Sequence, residues 1–235
     1  MTTAMPREVE AEWLDVLDAD DARARRSRGD LRRINALMGS LGIALRAVDR
    51  AVASRVPRTI VELGAGDGAL MSRMARRRAA RWPNVEVTLI DRQRVVSEGA
   101  LERMRAAGWR PRVLTCDVLD WAAATPHRPA DLVFANLFVH HFTGDALQRL
   151  LAGVAAHTQA FACCEPRRDR MSLAASRLVG LVGAGSVARH DAVASVRAGF
   201  RGGELGDCWR NAGSWRMSEY EAGLFTHCFV ATRTA

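Results

Sequence analysis

Apolar positions recur along this chain with two different periods. Leu31, Ile34, Met38, Leu41, Leu45, Val48 and Val52 follow one another at steps of three and four residues, which puts them on one face of a helix from about Asp30 to Ser54. Ahead of it, Glu8 to Leu17 predicts a short helix with Trp13 and Leu17 on one side, closed by the acidic run Asp18-Ala19-Asp20-Asp21. Beyond residue 58 short apolar runs take over. Ile60 to Leu63, Val85 to Ile90, Pro111 to Cys116, Asp131 to Asn136 and Gln159 to Cys164 read as five strands, the fourth continuing into Leu137 to Phe142. Helices are predicted between them at about 69–81, at Ser97 to Ala107 with a stop at Gly108, and at Gly144 to His157. A last helix begins at His190-Asp191 and runs toward Phe200. Asn211 to Tyr220 and Phe225 to Thr232 then form two closing antiparallel strands joined through Glu221-Ala222-Gly223. Strands alternating with helices predict an α/β, doubly wound, Rossmann-like sheet.

The first strand ends in Glu62-Leu63-Gly64-Ala65-Gly66-Asp67-Gly68. Glycines so closely spaced permit a tight turn in which backbone approaches a ligand, and Gly64, Gly66 and Ala69 also satisfy the dinucleotide pattern G-x-G-x-x-G/A. Glu62 decides between the readings. A carboxylate two residues before the first glycine sits badly beside a pyrophosphate, yet it suits a ligand bearing an ammonium group and a sulfonium centre. S-adenosylmethionine is such a ligand. On the residues Val61 to Gly68 the chain resembles the class I S-adenosylmethionine-dependent methyltransferases, nearest to the ubiquinone/menaquinone-biosynthesis-type small-molecule enzymes. The resemblance implies a seven-stranded sheet, with residues 57–235 as the S-adenosylmethionine-binding domain and residues 1–56 as an N-terminal helical cap over the acceptor pocket.

Cofactor positions follow in order. Glu62, Gly64, Ala65 and Gly66 form the turn. Asp91 ends the second strand, where an acid accepts from both ribose hydroxyls of an adenine nucleoside, and Arg92 adjoins it. The resemblance puts Asp117 at the adenine amino group and Val118 over the ring, with Asn136 and Leu137 at the transfer end. Asn136 is followed by Leu137 and Phe138 without the prolines of the amide and exocyclic nitrogen methyltransferases, which directs the reading to small-molecule acceptors. Trp121 either stacks on adenine or packs in the core. Glu165-Pro166 at the fifth strand end is common in the resembled group.

Methyl transfer is an in-line displacement, so the protein must align the groups and, where necessary, take a proton from the acceptor. His140 and His141 are candidates for that base, and His190 is another if Asp191 orients its ring rather than capping the helix. Each is also readable as a hydrogen-bonded structural histidine, and His227 reads as structural. Arg167, Arg168 and Arg170 either meet an anionic acceptor or lie in a solvated turn. A phenolic, enolic or quinone-precursor intermediate of secondary metabolism is the expected acceptor, methylated on oxygen or carbon. The rivals are an RNA methyltransferase and a cofactor-binding protein without catalysis.

Composition alters this picture little. The net charge is +8, but there is no lysine, and arginine with abundant alanine reflects GC-rich coding as readily as a nucleic-acid surface. Nucleic acid is therefore not the expected partner. Five cysteines without a C-x-x-C pair predict reduced thiols, no metal site and a cytoplasmic setting. Met1 to Trp13 lacks the apolar core of a secretory signal, and the apolar stretch Leu173 to Val187 is interrupted by Arg177 and is too short to span a bilayer.

Overall fold

Apart from the continuation of the fourth into Leu137 to Phe142, each apolar run that the sequence offers as a strand contains one among the described residues. The computed structural model describes residues 5–125, 128–209 and 214–234. Three helices come first, α1 (Trp13–Val16), α2 (Ala22–Leu37) and α3 (Ser40–Val52). The alternating body then runs β1 (Thr59–Leu63), α4 (Ala69–Arg78), β2 (Glu86–Asp91), α5 (Glu98–Ala106), β3 (Arg110–Thr115), α6 (Val118–Ala123), β4 (Leu132–Asn136), α7 (Gly144–His157) and β5 (Ala160–Pro166). It closes with α8 (Arg170–Arg177), α9 (Ser186–Ala198), α10 (Glu204–Cys208), β6 (Trp215–Ala222) and β7 (Thr226–Arg233).

The seven strands lie in the order β3-β2-β1-β4-β5-β7-β6. Pairing is parallel from β3 to β5, while β7 runs antiparallel between β5 and β6. Strand β5 is buried along its whole length, because helices cover both faces; hence its nearly continuous apolar sequence. Cys163 and Cys164 point to opposite faces and enter separate core clusters. All five cysteines are free thiols. Among the described residues no helix is long and apolar enough to cross a membrane.

Five expectations change. The helix expected from Asp30 to Ser54 is two helices, because Gly39 takes a left-handed conformation (φ 68°) and starts α3 anew. The apolar stripe runs through the break: Ile43, Ala47 and Val48 of α3 join the core that Ile60, Leu132 and Ala160 form on the sheet. The Glu8 to Leu17 helix shrinks to the single turn α1. Strand β4 ends at Asn136, for Leu137 turns to φ 52° and a 3-10 turn occupies Val139–His141. The helix expected to start at His190 starts at Ser186, so Asp191 is no cap of it. The first closing strand starts at Trp215; residues 211–213 of that expectation, like residues 1–4 of the N-terminal one, lie outside the described residues.

Candidate functional site

In a doubly wound sheet the crevice opens where the strand order reverses, here between β1 and β4, outside their carboxyl ends. Gly64, Gly66 and Gly68 all have positive φ (66°, 53° and 74°), and the turn they make is fastened to the end of β2: Gly66 N donates to Asp91 Oδ2 at 2.8 Å, and Ala65 N to Ile90 O at 3.0 Å. The other oxygen of Asp91 accepts from Gln93 N at 2.9 Å. Asp91 thus fixes the glycine turn while standing at the wall of a cavity shared with Gly64, Arg92, Asp117, Val118 and His141. Asp117 caps α6, accepting from Leu119 N at 2.7 Å. Trp121 packs against His157, its ring tilted by 39° at 4.4 Å between centroids, rather than lining this cavity. The remaining wall is the N-terminal segment, through Val9, Ala11 and Val16.

A second cavity adjoins the glycine turn on its other side, lined by Glu62, Ala65, Asp67, Asn136 and Leu137, with Arg28, Arg32 and Arg73 at its edge. Glu62 is buried and its Oε2 has no hydrogen-bond partner. Burial, with Asp67 and Asp91 nearby, pushes its carboxyl well above the usual range. An unpartnered buried carboxyl calls for a cationic donor, and an α-ammonium group supplies one. Arg28 and Arg32, four residues apart on α2, line the same space, where a carboxylate would find cationic partners; Arg28 also donates to Ala19 O, and Arg32 pairs with Asp67. The adenosine and amino acid halves of S-adenosylmethionine therefore each have a fitting cavity, on either side of Gly64–Gly66.

Asn136 and Leu137 also line a third, apolar cavity of about 300 Å³. Its walls come from α2 (Leu31, Ile34, Asn35), α3 (Ile43), α8 (Ser172, Ser176) and α9 (Ser195, Val196), and Thr226 of β7. Two of the N-terminal helices, α2 and α3, thus contribute to its wall. Among the described residues that line it, the sole ionisable side chain is Cys164, whose thiol is pushed well up by its contact with Cys228 and by burial. Ser172 Oγ is buried here without a partner.

None of the three candidate histidines lines that apolar cavity. His140 is sealed between carboxylates, Nδ1 at 2.7 Å from Glu165 Oε2 and Nε2 at 3.2 Å from Glu12 Oε1. Burial alone would lower its pKa, but the two carboxylates outweigh burial and push it up to about 9. Burial likewise pushes Glu12 up, and the hydrogen bonds and charge of His140, with the hydroxyl of Ser195, hold it below the ordinary range instead. His140 is thus an imidazolium at neutral pH. Glu165 also accepts from the backbone N–H groups of Phe138, Val139 and His140; it organises the turn after β4. His141 faces the adenosine cavity with Nδ1 3.2 Å from Asp15. His190 meets Asp191 at 3.0 Å, but its ring stacks on Trp13 at 4.0 Å between centroids. Asp191 serves the N-terminal segment, accepting from Trp13 N and Leu14 N at 2.8 and 3.0 Å. His227 pairs with Glu219 in the interior.

Donor atoms of Glu12, His140 and His141 lie within 4.8 Å of one another. The hydrogen bond of His140 to Glu12 and the contact of the two neighbouring imidazole rings, 4.3 Å between centroids, bring them together. The arginines after β5 are likewise engaged: Arg168 is buried and paired with Glu204, and Arg167 bridges Asp169 and Glu221. Neither an acceptor contact nor a solvated turn describes them; only Arg170 is exposed. Glu12, Arg28 and Ser195 join the site without having stood out in the sequence. The spacing of Arg28, Leu31, Arg32 and Asn35 is the signal that finds the α2 face; nothing local marks Glu12 or Ser195.

Residues 60–160 match the family model of the methyltransferase domain. No curated protein sequence matches the chain. Among solved structures, an O-methyltransferase family protein from Burkholderia thailandensis is similar with a TM-score of 0.63 at 19% identity, covering 92% of this chain and 61% of that one. The pyocyanin biosynthetic protein PhzM is similar at 0.58 and 18%, covering 92% and 60%. Human N-acetylserotonin methyltransferase, solved with S-adenosylmethionine, is similar at 0.54 and 14%, covering 93% and 61%. The chain thus spans about three fifths of the length of each. Residues 60–160 are a methyltransferase domain of the class I, S-adenosylmethionine-dependent type, and S-adenosylmethionine is its cofactor.

Proposed function

We propose that this methyltransferase domain serves a chain that methylates a small, largely apolar molecule through a phenolic or enolic oxygen, or a carbon activated by one. The observation that carries the reading is the apolar cavity meeting the amino acid half of the cofactor site at Asn136 and Leu137. A nucleophile held there approaches the methyl group from the side opposite the adenosine cavity, as in-line transfer requires.

S-adenosylmethionine supplies an electrophilic methyl group on sulfur. The chain's own residues bind and align: Glu62 takes the ammonium, Arg28 and Arg32 the carboxylate, Asp91 the ribose, and Asp117 with Val118 the adenine. Asn136 and Thr226 hydrogen-bond the acceptor oxygen. With no acid or histidine among the described residues of the cavity wall, the acceptor reaches its nucleophilic form by its own acidity, which favours a phenol or stabilised enol over an aliphatic alcohol. His140, being an imidazolium held on both sides, positions the turn that carries Leu137 and Phe138. The division into a cap over residues 1–56 and a catalytic domain over 57–235 is one of roles, since α3 shares the core of the sheet.

Incubation with methyl-labelled S-adenosylmethionine, a panel of phenols, enols and quinone precursors, and cell RNA tests the reading. Label in organic-soluble product is expected, reduced at least tenfold in Asn136→Ala. Label in RNA alone, or cofactor binding with no labelled product, overturns it.

A further inference from the structure

The apolar cavity opens between the end of α2 and the turn after α8, and its rim is greasier than an enzyme mouth facing water requires. Leu37 is 71% exposed, Leu178 58% and Val182 48%, and all three line the cavity. Leu181, beside them on the 3-10 turn Val179–Val182, is 83% exposed. Large apolar side chains scattered singly are ordinary, but four gathered around one opening, with polar surroundings, mark a surface that meets something apolar.

The polar surroundings are of one sign. Residues 170–189 contain Arg170, Arg177 and Arg189 and no acid. Across the opening, α2 carries Arg23, Arg25, Arg26 and Arg33 besides the two arginines of the cofactor site; Arg23 pairs with Asp21 and Arg33 with Asp30, and Asp30 is buried, accepting from Gly185 N at 2.7 Å. Arg26 and Arg33 share a surface hollow with Val182 and Gly183, and the Arg189 side chain lies against Gly180. Leucines at the centre and guanidinium groups at the edge match a bilayer interface, with acyl chains beneath and anionic headgroups around. A protein partner would need to supply both a greasy plug and a surrounding acidic collar.

We propose that this rim docks on an anionic membrane surface, so that a lipid-soluble acceptor passes from the bilayer into the cavity without crossing water. The second clause rests on the cavity being the acceptor site; the docking itself does not. No helix need insert: Leu178, Leu181 and Val182 reach the acyl boundary while the arginines stay at headgroup level.

Co-sedimentation of the full chain with vesicles tests it, comparing phosphatidylcholine alone with an equal mixture of phosphatidylcholine and phosphatidylglycerol. Binding to the anionic vesicles alone is expected, weakened by high salt. Leu181→Ser is expected to weaken it on the order of tenfold, equivalent to ~1.4 kcal/mol, and Arg177→Glu with Arg189→Glu by a similar factor, all with unchanged S-adenosylmethionine binding as the control for folding. No binding to anionic vesicles at low salt, or binding by both variants as tight as that of the wild type, overturns the proposal. So does a dimer in solution that Leu181→Ser dissociates, which would assign the rim to a second copy. Vesicle binding requires no turnover: a chain that binds vesicles and methylates nothing on the panel leaves the docking standing and removes the functional reading alone.

Discussion

The ring of Phe138 lies against Gly64: a Cβ built on that glycine would stand 2.1 Å from Phe138 Cδ2 and 2.5 Å from Cγ. The turn after β4 and the turn after β1 are thereby pressed together at the point where the two halves of the cofactor site meet. Gly64→Ala must accommodate both a left-handed backbone, at ~1–2 kcal/mol, and the displaced ring, at about 1–3 kcal/mol more. Gly66→Ala has the same kind of φ but open space around the new methyl, so urea unfolding should show the backbone part alone. Adding Phe138→Ala to Gly64→Ala should recover the steric part, and strict additivity of the two single changes would show the contact to be energetically empty.

On the role proposed for Glu62, cofactor binding is coupled to protons. Its carboxyl is held neutral by burial and by the charges of Asp67 and Asp91, and the approach of an ammonium group lowers that pKa, so a proton leaves as S-adenosylmethionine binds. Calorimetric titrations near neutral pH in two buffers of different ionisation enthalpy should differ, with affinity rising as pH rises. Identical enthalpies would mean that Glu62 is already ionised. Glu62→Gln should abolish the difference and weaken binding by about 1.5–3 kcal/mol, as loss of a charged hydrogen bond does.

His140 gives stability a dependence on pH. Its folded pKa of about 9 lies above the ordinary 6.5, so its contribution is complete below about pH 6.5 and is lost as the pH rises through 9. The full difference is on the order of 3 kcal/mol; the lowered pKa of Glu12 is the same interaction seen from the other partner and is not added. Unfolding free energies from pH 6 to pH 10 should fall in the wild type and stay nearly flat, from a lower start, in His140→Gln. Parallel curves would remove the buried imidazolium from the account.

Gly153 on α7 lets α6 come close. A methyl there would stand 2.4 Å from Ala122 Cβ and 2.5 Å from the Ala122 carbonyl oxygen, which is backbone and cannot swing aside. Gly153→Ala should cost about 1–3 kcal/mol and shift α6, whose N-terminal Asp117 and Val118 wall the adenosine cavity. Cofactor affinity should drop in this variant and hold in Gly108→Ala, where the methyl meets nothing within 4 Å and the strain is local. Equal affinities in both would detach α6 from the cofactor site.

What the sequence made readable was whatever a local pattern encodes. Strand β1 and its glycines, Asp91 at the end of β2 and the antiparallel pair β6 and β7 follow from period, turn chemistry and strand-end position. The helix break at Gly39 stayed hidden because the apolar stripe continues across it; only the left-handed φ ends the helix, and a lone glycine does not announce one. The histidines misled for a related reason. A pair of adjacent imidazoles at the transfer end suggests a base, but what settles the chemistry of His140 is Glu12, 128 residues away, and Glu165, 25 away. Ser195 and Asp191 likewise gain their roles from contacts with the N-terminal segment that no spacing foretells.

That segment changes what the cofactor site is. Arg7 holds the carbonyls of His140, Phe142 and Ala198, Glu12 holds His140 and Ser195, and Gln93 reaches Leu17 O; between these fastenings Val9, Ala11 and Val16 wall the adenosine cavity. A groove open along one flank would exchange nucleosides as fast as they diffuse. Here that flank is a latched door: a molecule held in that cavity leaves by that route only after the contacts of residues 7–17 release.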